Sequence, residues 1–416
     1  MRRFFLLILF GSLLVVTGCG GGGSSSNGGS GGGGGAVANT VPTVVNAGPT
    51  ANSVDSAFVS VTVCVPGTSN CQTVPNVVVD TGSSGLRILK SAIPHLSLPQ
   101  QNGPLGNPLV ECAQFASFFA WGPVMTADIK MAGEVATSAP IQVVGETDTG
   151  FPQVPGACAK SAPQDGSTVQ GLGGNGILGV GLFLQDCGSA CSMNSGNPGF
   201  YYECSNGGVN CIQANVPTTQ QVPNPVSLFA SDNNGVLLQL PQVPATGAPS
   251  VSGTMIFGIG TQSNNGLGSA TVFTLAGDGT FTTVYTPNGQ SYPESFIDSG
   301  SNGIFFLTGS HGQNNPGITG IPVCTVSVGF YCPTTTLNLS ATNHGTNNAS
   351  NTVQFSIANA DQLPAANFAF NDLGGENAGP PGPSFDWGLA FFFGRSVFTA
   401  IENQNTPAGM GPYFAY

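Results

Sequence analysis

The stretch Asn76-Val77-Val78-Val79-Asp80-Thr81-Gly82-Ser83-Ser84-Gly85-Leu86 runs a set of β-branched residues into Asp-Thr-Gly-Ser. An apolar segment, Leu86 to Leu89, follows, broken by Arg87. The pattern returns 218 residues later in Ser295-Phe296-Ile297-Asp298-Ser299-Gly300-Ser301-Asn302-Gly303-Ile304-Phe305-Phe306. Each copy reads as a buried strand that carries an acid into a tight glycine turn and continues as a strand. Two carboxylates presented alike predict two lobes that each contribute one acid. A carboxylate pair that shares a proton needs that arrangement.

The chain has 416 residues, enough for two lobes with substantial cores. Arg2 and Arg3 followed by the apolar run Phe4 to Val16 read as a signal peptide, residues 1–18. The run is too short to span a bilayer. Val16-Thr17-Gly18-Cys19 resembles a bacterial lipobox. That resemblance implies cleavage before Cys19 and lipid attachment there. Gly20 in the next position implies sorting to the outer membrane. The alternative is an ordinary secreted protein with an incidental cysteine. Residues 19–51 then form the lipidated cysteine and a Gly/Ser-rich tether.

Without Arg2 and Arg3, five basic residues face 19 acidic ones, a net charge of −14. Such a surface suits neither nucleic acid nor anionic lipid, so any membrane association is expected through the lipid alone. Few charges with much Gly, Asn, Ser and Thr fit an all-β extracytoplasmic chain rich in turns. Besides Cys19, ten cysteines remain, an even number that favours disulfides. Cys64/Cys71 and Cys324/Cys332 are spaced to close hairpins, and Cys112 and Cys158 are left to pair. Cys187, Cys191, Cys204 and Cys211 leave their connectivity open. No metal site is expected: Cys-x-x-Cys does not occur, and His95, His311 and His344 are scattered. Asp232-Asn233-Asn234-Gly235 is too short for a calcium loop and reads as a turn.

Two glycine motifs are set aside. Gly28-Gly29-Ser30-Gly31-Gly32 lacks the strand and helix of a serine-hydrolase elbow. Gly171 to Gly176 fits G-x-G-x-x-G, but no helix pattern or downstream acid follows. Ile177-Leu178-Gly179 reads instead as a short buried strand that crosses another backbone closely. The aromatic run Phe115 to Trp121 ends at Gly122-Pro123, a turn signal, which predicts a hairpin with Trp121 at its tip. A lobe boundary is expected near Thr246, giving lobes of residues 52–245 and 246–416.

The two Asp-Thr/Ser-Gly-Ser turns resemble those of pepsin-like aspartic peptidases. Asn175 to Gly181, Gly253 to Gly258 and Trp387 to Phe398 are similar to three further segments of that family, in the same order. The matches span about Phe58 to Glu402. The chain also resembles an uncharacterised family of exported bacterial lipoproteins, which by itself implies no activity. The first resemblance implies an all-β, bilobal, pepsin-like acid protease fold, two β-barrel-like lobes with the active cleft between them.

It further implies an aspartic endopeptidase, a hydrolase in which Asp80 and Asp298 activate a water without metal, cofactor or covalent intermediate. Thr81 and Ser299 would bond across the lobes, and Gly82 and Gly300 would let the turns close. Ser83 and Ser301 would bond the outer carboxylate oxygens. Trp121-Gly122 stands at the family's flap position, usually Tyr-Gly. Ala390 and Phe391 replace a Gly-Asp pair at the second lobe's close crossing. Gly20 to Ala51 holds no Lys or Arg, so latency through a basic prosegment is not expected. The expected partner is a peptide or protein substrate, and the chain is expected to be a monomer. The alternative is an inactive surface lipoprotein that binds peptide or glycan in the same cleft.

Overall fold

The computed structural model describes residues 39–145, 150–162, 164–307, 321–377 and 384–416. The signal peptide, Cys19 and residues 20–38 of the tether lie outside the described residues. The described chain is almost entirely β, with short helical turns between strands.

The first half holds β1 (Thr40–Val45), β2 (Ala57–Cys64), β3 (Cys71–Asp80), β4 (Ser84–Leu89), β5 (Leu109–Gln114) and β6 (Phe118–Met131). It continues with β7 (Glu134–Val144), β8 (Gln164–Asp165), β9 (Gly176–Val180), β10 (Tyr201–Ser205), β11 (Asn210–Gln213) and β12 (Gly235–Leu240). The pairings β2–β3–β9–β4–β7–β6 return to β2 and close a barrel. Its filling follows from strand periodicity. Val77 and Val79 join the main core with Val61, Leu86, Ile88 and Ile141, while Val78 faces a second buried cluster with Ile177 and Leu89. Burying each such side chain contributes about 1.5–3 kcal/mol. Both faces of β3 are covered, so its run of three valines needs no polar alternation.

The second half holds β13 (Val251–Phe257), β14 (Val272–Thr274), β15 (Phe281–Tyr285), β16 (Gln290–Ile297), β17 (Ile304–Phe305), β18 (Leu337–His344) and β19 (Ser350–Ile357). Then come β20 (Gly374–Gly375), β21 (Asp386–Trp387), β22 (Arg395–Ala400), the small hairpin β23 (Asn405–Thr406) and β24 (Gly409–Met410), and β25 (Tyr413–Ala415). A seven-stranded sheet runs β19-β18-β15-β16-β21-β17-β20. Its core is aromatic: Phe385 stacks on Trp387 at 4.5 Å and on Phe306 at 4.9 Å between ring centroids.

The halves are joined by the sheet path β2-β1-β13-β12-β22-β25-β14. β1 lies inside that path, between β2 and β13. The sequence reading runs the tether to Ala51. The structure ends it earlier, because Thr40–Val45 alternates inward and outward and six of its residues pair with β13. β12 and β13, on either side of Thr246, pair with each other inside this shared sheet.

Among the described residues five disulfides form: Cys64–Cys71, Cys112–Cys158, Cys187–Cys191, Cys204–Cys211 and Cys324–Cys332. The cluster left open by sequence divides into two local pairs. Cys204 and Cys211 stand directly opposite each other on β10 and β11. Asp232 accepts from Thr261 and Gln262, and Asn234 bonds Ile259 both ways, so that segment is a pinned turn.

Candidate active site

Both aspartates are delivered by the same strand arrangement. β3 ends at Asp80, and β4 leaves from Ser84. β9 threads between them, parallel to β3 and antiparallel to β4. The turn 81–83 must therefore bridge over an intervening strand. In the second lobe β16 leads to Asp298, β17 leaves at Ile304, and β21 threads between, again parallel to the first and antiparallel to the second.

This threading needs glycine. A Cβ on Gly179 would lie 2.8 Å from Ser83 Oγ, and one on Gly181 would lie 2.7 Å from the carbonyl oxygens of Thr81 and Ser83. The expected close crossing at Ile177-Leu178-Gly179 is thus present. In the second lobe the register places Asp386-Trp387-Gly388 where the first has Ile177-Leu178-Gly179. Gly388 makes the crossing: a Cβ there would meet Gly303 O at 2.0 Å. Expecting the crossing at Ala390 was two residues out of register. Ala390 and Phe391 sit in a short helical turn packed in the core. Trp387 is fully buried, and its indole N–H reaches Asn343 Oδ1 at 3.1 Å.

The two turns are hydrogen-bonded alike. Gly82 N–H donates to Asp80 Oδ1 at 2.8 Å, and Gly300 N–H donates to Asp298 Oδ1 at 2.7 Å. Ser83 Oγ donates to Asp80 Oδ2 at 2.5 Å, and Ser301 Oγ donates to Asp298 Oδ2 at 2.8 Å. Thr81 N–H donates to Ser299 Oγ at 3.1 Å, while Ser299 N–H donates to Thr81 Oγ1 at 2.9 Å. The hydroxyls go on to donate to Ile297 O at 3.3 Å and Val79 O at 2.8 Å. Each lobe's turn is thereby tied to the strand that delivers the other aspartate. Serine at 299 supplies the whole of its half of this bonding.

The carboxyls face one another across the turns. A Cβ on Gly82 would lie 2.5 Å from Asp298 Cγ, and one on Gly300 would lie 2.7 Å from Asp80 Oδ1. No other residue fits either position. Burial first, and then the charge and hydrogen bond of Asp80, push the Asp298 carboxyl up to about 8. Its bonds from Ser301 and Gly300 act the other way. A pair in this geometry holds one proton between two carboxyls over a wide pH range.

Trp121 and Gly122 do not form a flap. The turn between β5 and β6 falls at residues 115–117, where Phe115 N–H bonds Phe118 O. Trp121 lies in mid-strand opposite Cys112 and is buried, edge-on to Tyr202, with its indole N–H on Phe151 O at 3.0 Å. Gly122-Pro123 marks the point where β6 changes partners, from β5 through Pro123 to β7 from Val124. A Cβ on Gly122 would strike Val143 O at 2.0 Å, which is why the switch needs glycine. The aromatic at the true tip is Phe115, stacked on Phe118 and lying over the Arg87 guanidinium at 5.4 Å.

The sequence reading missed two features. Arg87 is buried in β4 and bonds Glu111 Oε1 at 2.5 Å, Asp186 Oδ2 at 3.4 Å and Ser84 O at 2.9 Å. Tyr201 O–H donates to Asp186 Oδ1 at 2.6 Å and accepts from Val222 N–H. Burial and then Glu111 push Asp186 well above the usual carboxylate range. One cation therefore serves two acids, of which Asp186 is held toward its neutral form, and the cluster locks four segments behind the Asp80 turn. The signal was Arg87 alone within an apolar strand. The second feature is Asp386, a buried carboxyl next to the pair. A separate cavity of about 520 Å³ opens in the second lobe beside Phe391 and Arg395, away from both aspartate turns.

A family model described as "Protein of unknown function (DUF3443)" matches residues 35–416. No curated protein matches the chain. Among solved structures, the crystal structure of aspartic proteinase from Irpex lacteus is similar, at 16% identity and a TM-score of 0.44. That match covers 90% of this chain and 96% of that one.

Proposed function

We propose that this chain, which belongs to the DUF3443 family, is an aspartic endopeptidase of the pepsin-like kind. The observation that carries this reading is the pair of matched turns that set Asp80 and Asp298 against each other's glycine. Asp298, with its raised proton affinity, holds the shared proton, and Asp80 serves as the base. A water between them gives a proton to Asp80 as its oxygen attacks the peptide carbonyl carbon. Asp298 passes its proton to the carbonyl oxygen. Asp80 then returns a proton to the leaving nitrogen as the C–N bond breaks. The cross-lobe bonds of Thr81 and Ser299 hold the pair rigid during these transfers.

The substrate is a peptide segment, and the chain works as a monomer. Five disulfides support an oxidising compartment outside the cytoplasm. We place the protein on the bacterial outer membrane, held by lipid on Cys19.

The test is digestion of an unstructured protein between pH 3 and 7, with and without a statine-type inhibitor, beside Asp80→Asn. Cleavage abolished by both treatments is expected. Undiminished cleavage by Asp80→Asn removes the assignment. Inhibitor binding without cleavage replaces it with a peptide-binding role.

A further inference from the structure

The two lobes present their aspartates through matched backbones, yet one side chain behind the turns differs in kind. In β9, Ile177 pairs with Val78 and Arg87, and its side chain packs in an apolar cluster. The equivalent place in β21 is taken by Asp386, which pairs with Phe296 and Phe305. Asp386 is 7% exposed, and its Oδ1 is buried without a hydrogen-bond partner. A buried carboxylate left in that state is costly, whereas a neutral acid is not.

The groups acting on Asp386 are the carboxyls of Asp298 and Asp80, which raise its proton affinity, and the hydroxyl of Ser301, which lowers it when its proton turns toward Asp386. Its strand neighbours Phe296 and Phe305 bring no charge, and no cation acts on it among the described residues. Burial, then Asp298, hold it well above the usual carboxylate range. Ser301 has one hydroxyl proton, and that proton is committed to Asp298 Oδ2 at 2.8 Å. Toward Asp386 the hydroxyl can then only accept. A carboxyl that donates to it must be protonated.

We propose that Asp386 is a positioning residue: a protonated acid that donates to Ser301, closing a chain from Asp386 through Ser301 to the outer oxygen of Asp298. A hydroxyl that accepts a hydrogen bond donates a stronger one. The chain therefore lowers the proton affinity of Asp298 Oδ2 and keeps the shared proton on the inner oxygens, between the two aspartates. The first lobe has no such support, since Ile177 stands in that place. The catalytic consequence rests on the peptidase reading above; the protonation of Asp386 does not.

The test uses the full chain in three forms: wild type, Asp386→Asn, and Asp386→Ile, which installs the first-lobe residue. Infrared difference spectra at pH 6 between wild type and Asp386→Asn are expected to show loss of one neutral carboxylic-acid carbonyl band. In peptide hydrolysis, Asp386→Asn still donates to Ser301 and keeps the alkaline limb of the pH profile, which reports Asp298, where wild type has it. Asp386→Ile moves that limb up by about 0.5 pH unit, the cooperative part of one charge-assisted bond. Absence of the band overturns the proposal. So does an Asp386→Asn profile whose alkaline limb falls to lower pH, as loss of a fixed negative charge would produce, or an Asp386→Ile profile identical to wild type. If Asp386→Ile does not fold, the band and the Asn profile decide. If no form cleaves peptide, the peptidase reading fails and the band alone decides Asp386.

Discussion

Thr81 and Ser299 each donate their backbone N–H to the other's hydroxyl, and each hydroxyl donates onward to the strand beneath the opposite aspartate. Ser299→Ala removes the acceptor of the buried Thr81 N–H and a donor to Val79 O at once. Each unpaired buried group costs about 1–3 kcal/mol. Chemical denaturation is expected to show a loss of about 2–5 kcal/mol on that basis. Ser299→Thr keeps the hydroxyl and is expected to lose far less.

Asp298→Asn and Asp80→Asn each remove a proton carrier while keeping shape. Each is expected to lower kcat by at least about a hundredfold, the scale of general acid–base catalysis. Both variants are expected to melt no lower than wild type, because Asn keeps the shape of the carboxyl and brings no charge to the crowded pair. A melting curve beside the rate assay checks both statements.

The pH dependence has a definite sign. Asp298 is pushed up to about 8, and burial pushes Asp372 up to about 6. The folded state then binds more protons than the unfolded chain between about pH 4 and pH 8. The stability these groups contribute is fully present below about pH 4 and is lost as pH rises through 6 and 8. Denaturant midpoints are expected to fall over that window. Peptidase activity is expected to decline as pH rises through about 8, where Asp298 gives up the shared proton.

Gly388→Ala is expected to prevent the β21 crossing, since its Cβ would meet the Gly303 backbone oxygen at 2.0 Å. The strand cannot move aside without displacing the Asp298 turn. Gly277→Ala is the control, with nothing within 4 Å of its Cβ. Soluble yield and melting temperature separate the two.

Trp121→Phe deletes the bond to Phe151 O and should cost about 1 kcal/mol of stability. With the indole buried away from the β5–β6 tip, kcat and KM for peptide are expected to stay at wild-type values. A changed KM would return Trp121 to the cleft.

The parts of the site that sequence exposed are those in which backbone shape demands a residue type. Asp80, Gly82, Asp298 and Gly300 recur at fixed spacing because a turn that bridges an intervening strand accepts little else. Ile177-Leu178-Gly179 was readable for the same reason. Asp386 and Gly388 were missed because Trp387 invites alignment as a conspicuous aromatic, while strand register makes it the second-lobe counterpart of Leu178. Trp121 was misplaced because Gly-Pro normally signals a turn, and here it marks a strand changing sheets. The Arg87 cluster draws on residues 87, 111, 186 and 201, which no local pattern connects. β1 read as tether because six residues with one alternating face carry little signal without their partner.

That partner arrives late. Thr40 pairs with Ile256, and the sheet that holds them is completed by β22 and β25 near the end of the chain. β1 can meet β2 early, through Val44 and Val45, but its six-residue pairing with β13 and the shared sheet around it must wait for residues made much later. Contacts so distant in sequence are slow to form. A chain built this way brings its two acids together only once its late strands are in place.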